Sequence, residues 1–134
     1  MVRFEPTIPI YLQVMDEIKA QIVSGKLKPG QQLPSVRELA QNIQVNPNTI
    51  ARAYQELERA GIVFTRRGQG TFVREEEKIP VILKQEKVQA VLSSFFKEMA
   101  SLGVSPKEAL SLAKNFSAEG GKSSGVRTDS RKPK

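Results

Sequence analysis

The sequence predicts a mainly α-helical chain: three helices closed by a β-hairpin, then a separate pair of helices. Two observations carry most of this. "LPSVRELAQNIQVNPNTIARAYQELERAG", residues 33–61, reads as two short amphipathic segments joined by a polar break. Directly after it, "IVFTRRGQGTFV" places two β-prone runs around a glycine-rich tip. A third observation is the stretch over residues 80–117, where a long apolar segment and a shorter one meet at Gly103.

In the first element, Tyr11, Met15, Ile18 and Ile22 recur at helical spacing, with Leu12 and Val14 beside them. Polar Gln13, Asp16, Glu17, Lys19 and Gln21 fill the other side, so a helix is expected over about residues 10–24. Ser24-Gly25 ends it, because glycine tolerates the left-handed backbone of a helix stop. "KLKPGQQLP" is a turn and a short extended piece.

Ser35-Val36-Arg37-Glu38 is a capping box: the serine accepts from the Glu38 amide and the Glu38 carboxylate reaches back. Val36, Leu39, Ala40 and Ile43 form the apolar stripe of this short second helix. Gln44-Val45 is the turn, with Val45 set between helices. Asn46 caps the third helix, and Pro47 takes its first position, where a missing N–H costs nothing. Its inner stripe is Ile50, Ala53, Tyr54 and Leu57, and Gly61 ends it. The hairpin pairs Ile62–Phe64 with Phe72-Val73 across the tip Arg66–Gly70. Helix, helix, helix, hairpin is the order of a winged helix-turn-helix.

Arg74–Lys78 is a charged junction. Leu83, Val88, Val91, Leu92, Phe95, Phe96 and Met99 make the fourth helix heavily apolar. Ser105-Pro106-Lys107-Glu108 repeats the cap-plus-proline signal and opens a fifth, with Leu110, Ala113 and Phe116 offered to the fourth. The expected organisation is a winged helix-turn-helix over 1–75, a two-helix dimerisation region over 76–117 and a disordered basic tail over 118–134.

Composition narrows the function classes. The chain has neither Cys nor His, which removes disulfides, the usual metal ligands and the commonest general base. No metal site, no cofactor and no enzymatic activity are expected. No apolar run approaches the about 20 residues of a membrane span, and the N-terminus lacks a signal-peptide core, so a cytoplasmic location is the default. The net charge of +7 favours an anionic partner, with +3 in residues 1–73 and +3 in 118–134.

In a helix-turn-helix, the second helix of the pair enters the DNA major groove. With Ile50, Ala53 and Tyr54 inward, Asn48 and Thr49 face outward, and Arg52 shares the Asn48 face. The helix N-terminus is also expected to offer free N–H groups to a phosphate. Asn46 and Pro47 are read as capping residues, whereas Asn48 and Arg52 have no visible structural task. Arg37 lies early in the preceding helix, beside the same groove. At the hairpin tip, Arg67 supplies charge and Gly68, Gln69, Gly70 and Thr71 permit close approach to a minor groove or a phosphate strand.

These motifs, "LPSVRELAQNIQVNPNTIARAYQELERAGIV…RRGQGTFV" with "PIYLQVMDEIKAQIVSGKLKPGQQ" ahead of them, closely resemble the DNA-binding domain of the GntR family of bacterial transcriptional regulators. The resemblance covers about residues 8–73. It implies Arg37, Asn48, Thr49 and Arg52 for the major groove, and Gly68, Gln69, Gly70 and Thr71 for the wing. Pro47 and Ala51 stand where some members carry Arg, so those base contacts do not carry over. The short two-helix appendage looks like the YtrA subfamily, whose members dimerise through it and often repress neighbouring ABC-transporter genes. The expected partners are therefore an operator in double-stranded DNA and a second copy of the chain, with no membrane partner and no effector indicated. Dimerisation is assigned to Val88, Val91, Leu92, Phe95, Phe96 and Met99. The rival reading is a winged-helix module that binds protein; it calls for exposed apolar residues on the third helix, where Asn48, Thr49 and Arg52 stand instead.

Overall fold

The computed structural model describes residues 4–123. In chain order it contains α1 (Ile10–Ser24), α2 (Val36–Ile43), α3 (Pro47–Arg59), β1 (Val63–Arg66), β2 (Gly70–Val73), α4 (Lys78–Ser101) and α5 (Pro106–Ser123). The chain divides into two compact units, residues 1–86 and 87–134.

In the first unit, α3 packs against both α1 and α2. α1 buries Val14, Met15, Ile18 and Ile22, while Tyr11 is half-buried at its start. Gly25 ends α1 in the left-handed conformation, its N–H donating to the Ile22 carbonyl. α2 is fixed at its head by the expected capping box: Ser35 Oγ accepts from the Glu38 N–H at 3.0 Å, and Glu38 Oε1 accepts from the Ser35 N–H at 3.0 Å. Its exit is less ordinary. Gln44 sits at φ 58°, the one positive-φ residue other than glycine among those described. That turn sends the chain back from α2 into α3, and the Val45 N–H closes it on the Ala40 carbonyl at 3.0 Å.

α3 is held from two sides. Ile50, Ala53 and Leu57 have 0 % exposure. Burying a side chain the size of Ile or Leu stabilises by about 1.5–3 kcal/mol each. Tyr54 adds a polar tie: its hydroxyl donates to the Pro34 carbonyl at 2.6 Å, just ahead of the α2 cap.

The hairpin is antiparallel, with Val63 opposite Val73, Phe64 opposite Phe72, Thr65 opposite Thr71 and Arg66 opposite Gly70. The segment before α2 joins its edge. Gly30 N–H donates to Val73 O at 2.9 Å, Val73 N–H to Gln31 O at 2.9 Å, and Leu33 N–H to Thr71 O at 2.8 Å. The extended piece expected from "KLKPGQQLP" is therefore a third strand-like rail of the wing.

The boundary expected at residue 75 lies further on. Ile79 and Leu83, in the first turns of α4, belong to the same core cluster as α1 and α3, so the first unit continues to Glu86. Pairing of Leu110 and Phe116 with α4 is corrected. They are 57 % and 77 % exposed, and among the α5 residues whose burial is described the buried one is Ala109. Helix α5 also continues to Ser123, past the expected start of a tail at residue 118; residues 124–134 lie outside the described part.

Burial, and secondarily the Glu38 carboxylate, push the Tyr54 hydroxyl well above its ordinary value of 10.0. The fold thus favours the neutral phenol. That stabilisation is complete below pH 10 and is lost progressively as pH rises above it. Tyr54→Phe should destabilise by about 1 kcal/mol at neutral pH, measured by urea unfolding. The same variant should lack the part of the stability loss above pH 10 that the parent chain shows.

Candidate nucleic-acid interface

The N-terminal end of α3 shows which groups remain for a ligand. Pro47 has no N–H. The Asn48 N–H is taken by Asn46 Oδ1 at 2.8 Å, and the Thr49 N–H by Asn46 O at 2.9 Å. The expectation of free amides for a phosphate is therefore corrected: the cap consumes them, and recognition here falls to side chains. Asn48 and Arg52 are exposed and Thr49 is half-buried. All three line one surface depression together with Ile10 and Tyr11 of α1.

Arg52 also has a structural contact that the sequence did not reveal. Its guanidinium lies over the Tyr11 ring, 3.8 Å from the centroid. A cation over an aromatic face is stabilised by the ring quadrupole, by about 0.5–1 kcal/mol at an exposed site.

The tip of the wing is a second cluster. Arg67, Gly68 and Gln69 are exposed. Gln32 Nε2 donates to the Gln69 carbonyl at 2.7 Å and ties the tip to the rail beneath it. Gly70 is required there: its φ is +122°, and a Cβ on it would meet Gln32 Nε2 at 2.5 Å. Behind the tip, Phe64 and Phe72 stack across the strands at 5.6 Å. The Arg66 guanidinium lies over both rings, at 5.5 and 5.6 Å. Arg66 was not among the expected site residues; its place opposite Gly70 in a hairpin register is the signal that puts it beside the tip. Thr71 points elsewhere. Its hydroxyl lies 3.4 Å from that of Thr65, which donates to Glu58 Oε1 of α3 at 3.1 Å.

Arg37 is exposed on α2 and stands in neither ion pair of the described residues. The electrostatic pattern joins these places. Among the described residues the ion pairs are Arg59–Glu56 and Arg74–Glu76. Arg37, Arg52, Arg66 and Arg67 are in neither. Unpaired guanidinium groups flanking a polar helix end and a glycine-rich tip make a surface suited to a polyanion.

Residues 10–73 match the family described as bacterial regulatory proteins, gntR family. The chain is 50 % identical over 119 residues to the uncharacterized HTH-type transcriptional regulator YhcF of Bacillus subtilis, covering 89 % of this chain and 98 % of that one. It belongs to the GntR family. The HTH-type transcriptional repressor YtrA of B. subtilis is 39 % identical over 104 residues, 72 % of this chain and 80 % of that protein. A GntR family transcriptional regulator from Listeria monocytogenes superposes with a TM-score of 0.76 at 37 % identity, over 84 % of this chain and 98 % of that one. YtrA from Sulfolobus acidocaldarius, a GntR-family transcription factor, gives 0.53 at 34 % identity, over 69 % and 96 %. Within the GntR family the chain falls in the YtrA subfamily, a group of helix-turn-helix regulators rather than enzymes.

Gly70→Ala tests the fit of the tip. A strained backbone and the displaced Gln32 should together lower stability by about 1–3 kcal/mol, read as a fall in melting temperature.

Proposed function

We propose that this chain is a dimeric repressor that binds a palindromic operator in the cytoplasm, inserting the start of α3 into the major groove and laying the wing tip against the flanking backbone. The observation that carries this is that Arg52 beside Asn48, and Arg66 and Arg67 at the wing tip, stand in neither ion pair of the described residues. Asn48, Thr49 and Arg52 are assigned to base edges, Arg37 to the same major groove, Arg67 to phosphates, and Gly68, Gln69 and Gly70 to the close approach of the tip. Repression is supported by the likeness to the B. subtilis transcriptional repressor YtrA, and ABC-transporter genes are the targets that the YtrA subfamily suggests.

Dimerisation is assigned to the second unit. There Val88, Val91 and Leu92 are 46 %, 54 % and 45 % exposed, and Phe95 and Phe96 meet edge to face at 5.1 Å. Met99 is half-buried. Leu110 and Phe116 of α5 are exposed as well. Large apolar side chains that one chain leaves open are what an interface covers. A two-fold arrangement uses the same surface on both copies. Two α3 helices about 34 Å apart then meet successive major grooves.

Two expected outcomes test this. Arg52→Ala should weaken binding to a duplex selected by the chain from a random library by about 1–3 kcal/mol, in a gel-shift titration, with an unchanged circular dichroism spectrum. Val91→Glu alters a residue exposed in the single chain, so the fold should survive. Sedimentation should show a monomer, and operator affinity should fall sharply. A Val91→Glu chain that still sediments as a dimer would remove this face from the interface.

A further inference from the structure

We propose that Tyr11, on α1, is a positioning residue that holds Arg52 ready to read a guanine. The inference rests on the assignment of α3 to the major groove, and deepens it by naming what the α1 side chain does.

The guanidinium carbon sits over the Tyr11 ring, 3.8 Å from its centroid, close enough for the flat face of the guanidinium to rest on the ring. Stacking engages the flat face of the guanidinium and leaves its N–H donors around the edge available. A salt bridge would do the opposite, spending two of those donors on a carboxylate. Among the described residues Arg52 is in no ion pair. Guanine presents O6 and N7 to the major groove, both acceptors, and a guanidinium fork meets them with two parallel hydrogen bonds. The stacked pose therefore preserves the part of the side chain that guanine needs.

The shelf itself is anchored. Tyr11 is half-buried against the hydrophobic core, and α1 packs along α3. The ring is thus fixed relative to the helix that carries Arg52. Asn48 and Thr49 flank the same depression, and Ile10 closes its α1 side. A long arginine without this shelf samples many rotamers and reaches phosphates as readily as bases. Phosphate contacts hold a protein on DNA without reading sequence. Tyr11 then contributes to selectivity, not to general affinity for DNA.

The test uses the full chain and a duplex of about 30 base pairs selected by it from a random library, long enough for two half-sites one turn apart. Affinity is measured for that duplex, for the duplex with each guanine exchanged in turn, and for an unrelated one. Tyr11→Leu keeps an apolar side chain but loses the π face. It should bind the selected duplex about 2- to 5-fold more weakly and the unrelated duplex unchanged. Tyr11→Phe keeps the face and should bind like the parent. In an Arg52→Ala background, Tyr11→Leu should have no further effect, and one guanine exchange per half-site should become tolerated. Equal losses from Tyr11→Leu in both backgrounds, or a matching loss on the unrelated duplex, would overturn the positioning role while leaving α3 in the groove. If Arg52→Ala binds the selected duplex as tightly as the parent, the groove assignment of Arg52 fails, and the role of Tyr11 with it. Should Tyr11→Leu not fold, Arg52→Lys serves instead. Lysine keeps the charge but not the fork, so it should lose the selected duplex and retain the unrelated one; retention of both would overturn the proposal.

Discussion

The outer face of α3 is fixed by its inner face. Ile50, Ala53 and Leu57 leave no surface to solvent, and a rotation of α3 by one residue would bring polar neighbours into that space. Burying an unpartnered amide or guanidinium costs several kcal/mol, so the helix has one permitted orientation. Asn48 and Arg52 point outward for that reason, not because of anything at their own positions. Tyr54 sharpens the constraint, since its hydroxyl finds an acceptor only when α3 lies at the right height beside Pro34.

The wing depends on a different economy. Two strands of four residues make a weak hairpin alone. Here the Gly30–Leu33 segment adds three backbone hydrogen bonds on the open edge of β2, and Gln32 reaches on to the tip. The same short segment leads directly into the capping box of α2. The wing and the helix-turn-helix are therefore braced by one stretch of chain. This explains how a tip rich in glycine keeps a defined shape.

Much of this was legible in the residues. The three helices, the capping box, the Asn46 cap and the hairpin follow from local signals, and local bonds decide them. The boundary near residue 75 did not, because Ile79 and Leu83 look like any apolar pair until the core that receives them is known. The packing of α5 was misjudged for a related reason: helical periodicity says which residues share a face, not how much of it a neighbour covers. In the candidate site, the outward set of α3 was readable from period alone. The loss of free amides at its head was readable in principle, since Asn46 and Pro47 between them account for the first donors. The Tyr11–Arg52 contact was not, because it joins positions far apart in sequence through the crossing of two helices.

The placement of the tyrosines has an optical consequence. The chain contains two Tyr and no Trp, so its intrinsic emission on excitation near the tyrosine band comes from two rings alone. They occupy opposite situations. Tyr54 is buried with its hydroxyl held by a carbonyl, while Tyr11 lies under a guanidinium at the edge of the α3 depression. One ring therefore reports the integrity of the core and the other the state of the surface. With no indole to capture the energy, the two signals are separable by replacing either ring with phenylalanine, and the unlabelled protein carries its own pair of fluorophores.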